Sequence, residues 1–383
     1  MKLSRRHFFL GSLALPAFAG KKPAVETPHI VLILAENVPA WMLSCYGNKE
    51  VRTPNIDRLS QTGTRLMNHI AAHGDAAAAR ATLLTGTLAG GGAPIGKMLT
   101  GAGYAAHAAQ GSAEAVQMLD GEAGAKPFLL EVTLAGFAPP YAGAEAFEGQ
   151  YAASAMETFE QVPAAATITS GKEMFGGRLV GNLRKAAAAV SAVDAEVGRI
   201  TAKLSQKKLL DNALVIFTSP TGTLVGRHGL WGGSAGSNPP NFFEEVIATP
   251  MIWVWPARVA PGNTRPELVG GADLAPTLSE LTGAALPAGN NPGRSYLPLV
   301  QNKVLPKKQP WRKTVYLTDG RAGVARDDRY KLVLRDDGKG PNELYDLVAD
   351  GRERVNQYDN PEFLTVRTQL TGEWTRWRGT YAV

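Results

Sequence analysis

Cysteine is almost missing from this chain: Cys45 is the only one in 383 residues. A single thiol forms no internal disulfide and builds no thiolate metal cluster. Within Ser44-Cys45-Tyr46-Gly47-Asn48 it reads as a buried structural thiol. Charge is sparse as well, at 19% of residues, although the 44% hydrophobic content is enough for a sizeable core and places the chain outside the disordered class. The net charge of +6 falls to about +3 when Lys2, Arg5 and Arg6 are set aside. So small and scattered an excess excludes nucleic acid as a partner. Beyond the N-terminal segment there is no run of about 20 apolar residues, which argues against a permanent membrane span. Lysine is absent between Lys208 and Lys303, and no internal repeat is present.

What is there begins with Ser4-Arg5-Arg6-His7-Phe8-Phe9-Leu10, an apolar run to Ala19 and the small-residue close Ala17-Phe18-Ala19. Paired arginines before a short apolar stretch predict a twin-arginine export signal over residues 1–19, and hence a periplasmic or secreted protein. After a polar lead-in, His29 to Ala35, Phe128 to Thr133, Leu214 to Thr218 and Met251 to Trp255 are continuous apolar runs. Such runs are expected of strands buried on both faces of a parallel sheet. Pro54 opens a helix, Arg80 to Thr85 reads as another, and Leu183 to Leu204 carries Val190, Val193, Val197 and Ile200 at helical spacing. Residues 87–100 read as a contracted Gly/Ala-rich loop. The fold class is therefore α/β, a parallel-type sheet sandwiched by helices over residues 28–305. From 306 to 383 the short, turn-separated runs Thr314 to Leu317, Tyr330 to Leu334 and Glu343 to Leu347 predict a small antiparallel sheet, closed by a helix from Pro361 to Trp377.

Arg80-Ala81-Thr82-Leu83-Leu84-Thr85-Gly86 resembles the tail of the sulfatase signature. Other segments resemble the same family in its order: Val31 to Ala35, Cys45 to Asn48, Thr53 to Leu59, Leu214 to Thr218, Gly226-Arg227-His228-Gly229-Leu230-Trp231, Phe243 to Val246 and Asp273 to Leu278. The resemblance, to a sulfatase within the alkaline phosphatase superfamily, covers nearly all of the chain after the leader. It implies a sulfuric ester hydrolase with a formylglycine nucleophile at the start of the signature and a calcium or magnesium ion held by two acidic pairs.

Position by position, the implied groups are missing. The nucleophile position is Ala76, whose methyl group has no lone pair and no ionisable proton. The first acidic pair reads Glu36-Asn37 and the second Pro220-Thr221, an incomplete oxygen-ligand set, so no cofactor is expected. Asp75 is the one further acid nearby and, with Glu36, would make at most a weak cation site. The family's Lys-x-His element aligns with Gly111 and Ala113, its Pro-His-x-Pro histidine with Ala138, and its late lysine with Gly233. Arg80 and His228 survive. Three functions stay open: an inactive member that binds a sulfated or other anionic glycan or a partner protein, a sulfate or phosphate ester hydrolase with a relocated nucleophile at Thr82 or Thr85, and a purely structural role. Groups that act as a unit are not replaced by scaffold alone, which favours the first. Oligomeric state is not legible.

Overall fold

The computed structural model describes residues 27–88, 91–121, 126–139, 141, 143–159, 169–170, 179–320, 322–336, 338 and 340–381. The export-signal segment 1–19 lies outside the described residues. The strands are β1 (His29–Ala35), β2 (Thr64–Ile70), β3 (Ala105–Gln110), β4 (Phe128–Leu134), β5 (Thr169–Ser170), β6 (Ala213–Thr218), β7 (Ser237–Asn238), β8 (Ala248–Val254), β9 (Asn263–Gly270), β10 (Val315–Asp319), β11 (Ala322–Arg326), β12 (Tyr330–Arg335) and β13 (Glu343–Asp346). The helices are α1 (Pro54–Thr62), α2 (Ala76–Thr85), α3 (Ile95–Gly101), α4 (Gly111–Gly121), α5 (Glu145–Glu148), α6 (Leu179–Gln206), α7 (Glu244–Ile247), α8 (Leu274–Thr282), α9 (Leu297–Val300) and α10 (Leu364–Tyr381).

The main sheet runs in the order β3-β4-β1-β6-β8-β2-β9. β1 pairs in parallel with both β4 and β6, whereas β8 pairs antiparallel with both β6 and β2. The sheet is thus mixed, and the expectation that Met251 to Trp255 lies in a parallel sheet is corrected. A buried apolar run looks the same in either direction, so its residues carry no sign of strand sense. Several elements went unread, among them β2, β9 and α3. β2 and β9 alternate polar and apolar residues near or at the sheet edge, and β9 contains Pro266, which an edge strand tolerates. The supposed loop at 87–100 contains α3. The alanine run also lies inside α2 rather than ahead of it.

Side-chain alternation along β1 fills both faces. Val31 and Ile33 pack with Ile56 and Leu59 of α1 and with Val190, Val193, Val197 and Ile200 of α6. Ile30, Leu32 and Leu34 pack with Leu83 of α2, Met98 and Leu99 of α3, and Leu274 and Leu278 of α8. Each such fully buried aliphatic side chain contributes roughly 1.5–3 kcal/mol. Ala186 to Ala189, all buried, let α6 approach the sheet closely. The start of α1 is capped from outside by α6: Asp194 accepts hydrogen bonds from the backbone N–H of Asn55 at 3.2 Å and of Ile56 at 2.8 Å.

The C-terminal sheet is the antiparallel meander β10-β11-β12-β13, with α10 packed on its outer face through Leu370 and Trp374. Its inner face joins the main body in one apolar cluster, where Val315, Leu317, Val324, Val333 and Tyr345 meet Ile70, Phe242, Phe243 and Val246. Beside that cluster lies buried charge. Lys331, with no exposed surface, donates to the Phe242 carbonyl at 2.6 Å and pairs with Glu244 at 3.3 Å and with Glu353.

Candidate active site

In an open α/β sheet, ligands bind in the crevice beyond the carboxyl ends of the parallel strands. The ends of β1 and β6 lie side by side here, and the chain beyond each supplies one wall of a cavity of about 230 Å³. Glu36 and Asn37 follow β1, Pro220 and Thr221 follow β6, and Ala76, Ala77 and Arg80 come from the first turns of α2. Ala76 and Arg80 are one helical turn apart, so they share a face. The six positions that the signature resemblance brought together, Glu36, Asn37, Ala76, Arg80, Pro220 and Thr221, therefore do line a single cavity.

Its walls are held firmly. The Glu36 N–H donates to the Leu134 carbonyl at 2.9 Å, which ties the exit of β1 to β4. After β6, Thr218 donates to Pro250 O at 2.8 Å and Ser219 to Thr221 O at 2.6 Å. Gly222 must be glycine, because a Cβ there would stand 2.3 Å from the Glu245 carbonyl oxygen. At the helix start, Asp75 accepts the Ala78 N–H at 2.8 Å and caps α2. Asp75 is not among the lining residues, so it does not join Glu36 to form the pair suggested by the sequence.

Arg80 sits between two carboxylates. One guanidinium nitrogen is 3.3 Å from Glu36 Oε1; the other is 2.6 Å from Glu131 Oε1 and donates to Thr133 Oγ1 at 3.0 Å. Glu131 and Thr133 alternate onto the same face of β4. Burial pushes the Glu131 carboxyl above its ordinary range, with the Arg80 charge pulling the other way. This group of three carries one positive and two negative charges. Glu131 was missed from the sequence, although a signal was there: it is the one charged residue in Phe-Leu-Leu-Glu-Val-Thr-Leu, and a charge in a buried strand needs a partner.

The lining residues do not fit a calcium or magnesium ion. Glu36 is their one carboxylate and already faces Arg80, Pro220 has no side-chain oxygen, and Asn37 and Thr221 are neutral. Calcium takes six to eight oxygens, and magnesium an octahedral set. Among the described residues no three His, Cys, Asp or Glu side chains gather as a metal site would require.

The remaining positions lie outside the cavity lining. Gly111 starts α4 at a φ of 80°, and a Cβ there would stand 3.3 Å from Glu196 Oε2; the next residue, Ser112, donates its N–H to that same oxygen at 2.9 Å. Ala113 is exposed on α4. The Ala138 carbonyl accepts the Tyr141 N–H at 2.8 Å in a tight turn. A Cβ at Gly233 would stand 3.7 Å from the Gly222 carbonyl oxygen, in ordinary contact. His228 is buried, stacked on Phe243 with ring centroids 3.6 Å apart and 3.3 Å from Glu245 Oε2. Burial works against the Glu245 charge, but His228 and Arg227 together pull that carboxyl down to about 2. His228 is thus a packing and pairing residue. Thr82 is wholly buried, and Thr85 donates to Ala81 O at 2.8 Å; neither hydroxyl lines the cavity.

A mixed sheet between helices, an antiparallel C-terminal sheet and a crevice at the ends of β1 and β6 define a member of the alkaline phosphatase superfamily. The model of the sulfatase family matches residues 28–111 and 101–284, and that of the C-terminal region of N-sulphoglucosamine sulphohydrolase matches residues 240–379. The chain belongs to the sulfatase family. It is 27% identical over 212 residues to an N-acetylglucosamine-6-O-sulfatase of Bacteroides thetaiotaomicron, covering 52% of this chain and 36% of that protein. It is 28% identical over 185 residues to a choline-sulfatase of Rhizobium meliloti, covering 48% and 34%. The matched stretches thus span about a third of these relatives' lengths. The fold is similar to that of a protein solved with its substrate D-glucosamine-2-N,6-O-disulfate, with a TM-score of 0.78, 19% identity and coverage of 93% of this chain and 98% of that one. It is also similar to the phosphonate monoester hydrolase of Agrobacterium radiobacter, with a TM-score of 0.76, 18% identity and coverage of 92% and 96%.

Proposed function

We propose that this chain is an exported, metal-free sulfatase-fold protein that does not hydrolyse sulfate esters and acts by binding an acidic saccharide. One observation carries the reading: the crevice in which the family's chemistry would run is lined by Ala76, Pro220, Thr221 and Asn37, and its one arginine is already paired with Glu36 and Glu131. Ester hydrolysis needs a nucleophile and preorganised positive charge where the oxyanion develops. Neither Ala76 nor an arginine held between two carboxylates supplies them. The saccharide comes from two of the similar proteins, the N-acetylglucosamine-6-O-sulfatase and the one solved with D-glucosamine-2-N,6-O-disulfate, and export comes from the paired arginines at the N-terminus.

The test is turnover by the full-length chain expressed with its leader. Incubation with 4-nitrophenyl sulfate and with N-acetylglucosamine 6-sulfate, in added calcium, should release nothing above an Arg80→Ala control. Elemental analysis should find no stoichiometric calcium. Sulfate release that Arg80→Ala abolishes, or one calcium per chain, overturns the proposal. Ala76→Ser should also stay inactive, because a hydroxyl alone restores neither cation nor oxyanion contacts.

A further inference from the structure

The cleft is not the place in this molecule where an anion finds free positive charge. A larger groove, of about 580 Å³, lies between the β1–α1 connection and the turn that follows α5. That volume is in the range of small-ligand sites. Its walls include Lys49, Glu50, Arg52, Asp57, Gln150 and Tyr151, none of which lines the cleft.

The charges in the two cavities are arranged oppositely. In the cleft the cation is committed and acid is left over. In the groove the acids are committed. Glu50 accepts from Ser154 Oγ and from the Thr158 N–H, each at 2.6 Å. Asp57 Oδ1 accepts from the Cys45 N–H at 2.9 Å and from Thr53 Oγ1 at 3.1 Å. The Tyr151 hydroxyl is engaged with the Arg52 N–H at 2.9 Å and with Ser191 Oγ at 2.6 Å. Lys49 and Arg52, by contrast, are exposed, and neither side chain has an ion pair or hydrogen bond among the described residues. The Gln150 amide is exposed and free as well. The groove therefore offers two uncommitted cations and a carboxamide beside acids that are already hydrogen-bonded within the chain.

We propose that this groove is the saccharide site, taking a sugar that carries an oxyanion, with Lys49 and Arg52 holding the anionic group and Gln150 a ring hydroxyl. Arginine matches a planar or trigonal oxyanion with two parallel N–H donors, and lysine adds a point charge. The proposal rests on the reading of the chain as a saccharide-binding protein but not on the cleft being inert, since the two sites share no lining residue.

Titration of the full-length chain by isothermal calorimetry at low salt tests it, with glucosamine 6-sulfate, glucuronate and glucose as probes. Both acidic sugars should bind and glucose should not; sulfate and carboxylate are the two sources of the oxyanion, and their ratio tells which the groove prefers. Lys49→Gln with Arg52→Gln should weaken binding about tenfold and reduce its salt dependence, while Arg80→Met leaves it unchanged. Both groove side chains are exposed, so that variant keeps the fold, which its melting curve confirms. No binding of either acidic sugar overturns the proposal, as does binding that Arg80→Met abolishes and the groove variant leaves intact. Turnover without groove binding would defeat this proposal and the inactive-cleft reading separately.

Discussion

Replacing Glu36 and Glu131 together by glutamine should turn the cleft from one that repels sulfate into one that holds it. The wild-type group of three carries one net negative charge, because Arg80 lies between two carboxylates at 3.3 and 2.6 Å. An incoming monoanion at roughly 6 Å, with an effective dielectric near 20, meets about 3 kcal/mol from each unit charge. Removing two negative charges would shift binding by about twice that in a dry site. The side chains of Glu36, Arg80 and Glu131 are 36%, 27% and 17% exposed, so solvent screening cuts the figure to roughly half, or about 3 kcal/mol. That is on the order of a hundredfold in affinity. The assay is titration with methyl sulfate, a monoanionic sulfate ester, followed by backbone amide shifts of Ala76 and Ala77, at constant ionic strength. The double variant should shift these amides at millimolar methyl sulfate, and the wild type should not. Acid should mimic the variant in part: burial raises Glu131, so it is protonated at a higher pH than an ordinary carboxylate, and wild-type affinity should rise as pH falls. Wild-type binding at neutral pH that the glutamines leave unchanged or weaken would refute the charge count.

Two further predictions concern the buried charges at the C-terminal sheet. Lys331→Met removes the cation facing Glu353 and one of the two facing Glu244, which keeps Arg326 at 3.2 Å; the expected loss is roughly 3 kcal/mol, the low end for breaking a buried pair, a fall in Tm on the order of 5 °C, measured by calorimetry. Burial pushes Glu353 from its ordinary 4.5 up to about 8, with the Lys331 charge opposing and those of Glu244 and Glu245 adding to the rise. The folded protein then holds this proton more tightly than the unfolded chain, so its contribution is full below about pH 4.5 and is lost as pH rises to about 8. Urea melts should show that decline, on the order of a few kcal/mol, and Glu353→Gln should flatten it.

The parts of the fold that could be read from sequence are those where burial alone dictates residue type. β1, β4 and β6 are covered on both faces, and their apolar runs declared them. β9 stayed hidden because an edge position relaxes the pattern, β2 beside it because polar, half-buried residues interrupt its run, and the direction of β8 because hydrophobicity has no sense along a chain. The site divided in the same way. Glu36, Asn37, Ala76, Arg80, Pro220 and Thr221 follow strand ends or open a helix, so chain position carried them to one cavity. Gly111, Ala113, Ala138 and Gly233 were placed by alignment across loops, and the structure leaves them outside it. Glu131 needed knowledge of which side chain crosses from β4 to α2, which one-dimensional spacing does not contain.

The seam near residue 305 looks like a place to cut, but the buried lysine makes it a poor one. Lys331 of β12 finds its acceptors at Phe242 and at Glu244 of α7, Arg326 pairs with Glu244 at 3.2 Å, and Arg335 donates to Pro240 O at 3.1 Å. A fragment ending before β10 would strand Glu244, and one beginning there would leave Arg326 without that carboxylate and Lys331 and Arg335 without the Phe242 and Pro240 carbonyls. The C-terminal sheet is therefore no module: it cannot be transplanted, swapped between relatives or expressed alone without residues 240–247. A graft that respects the chemistry would carry the segment from Pro240 onward as one piece.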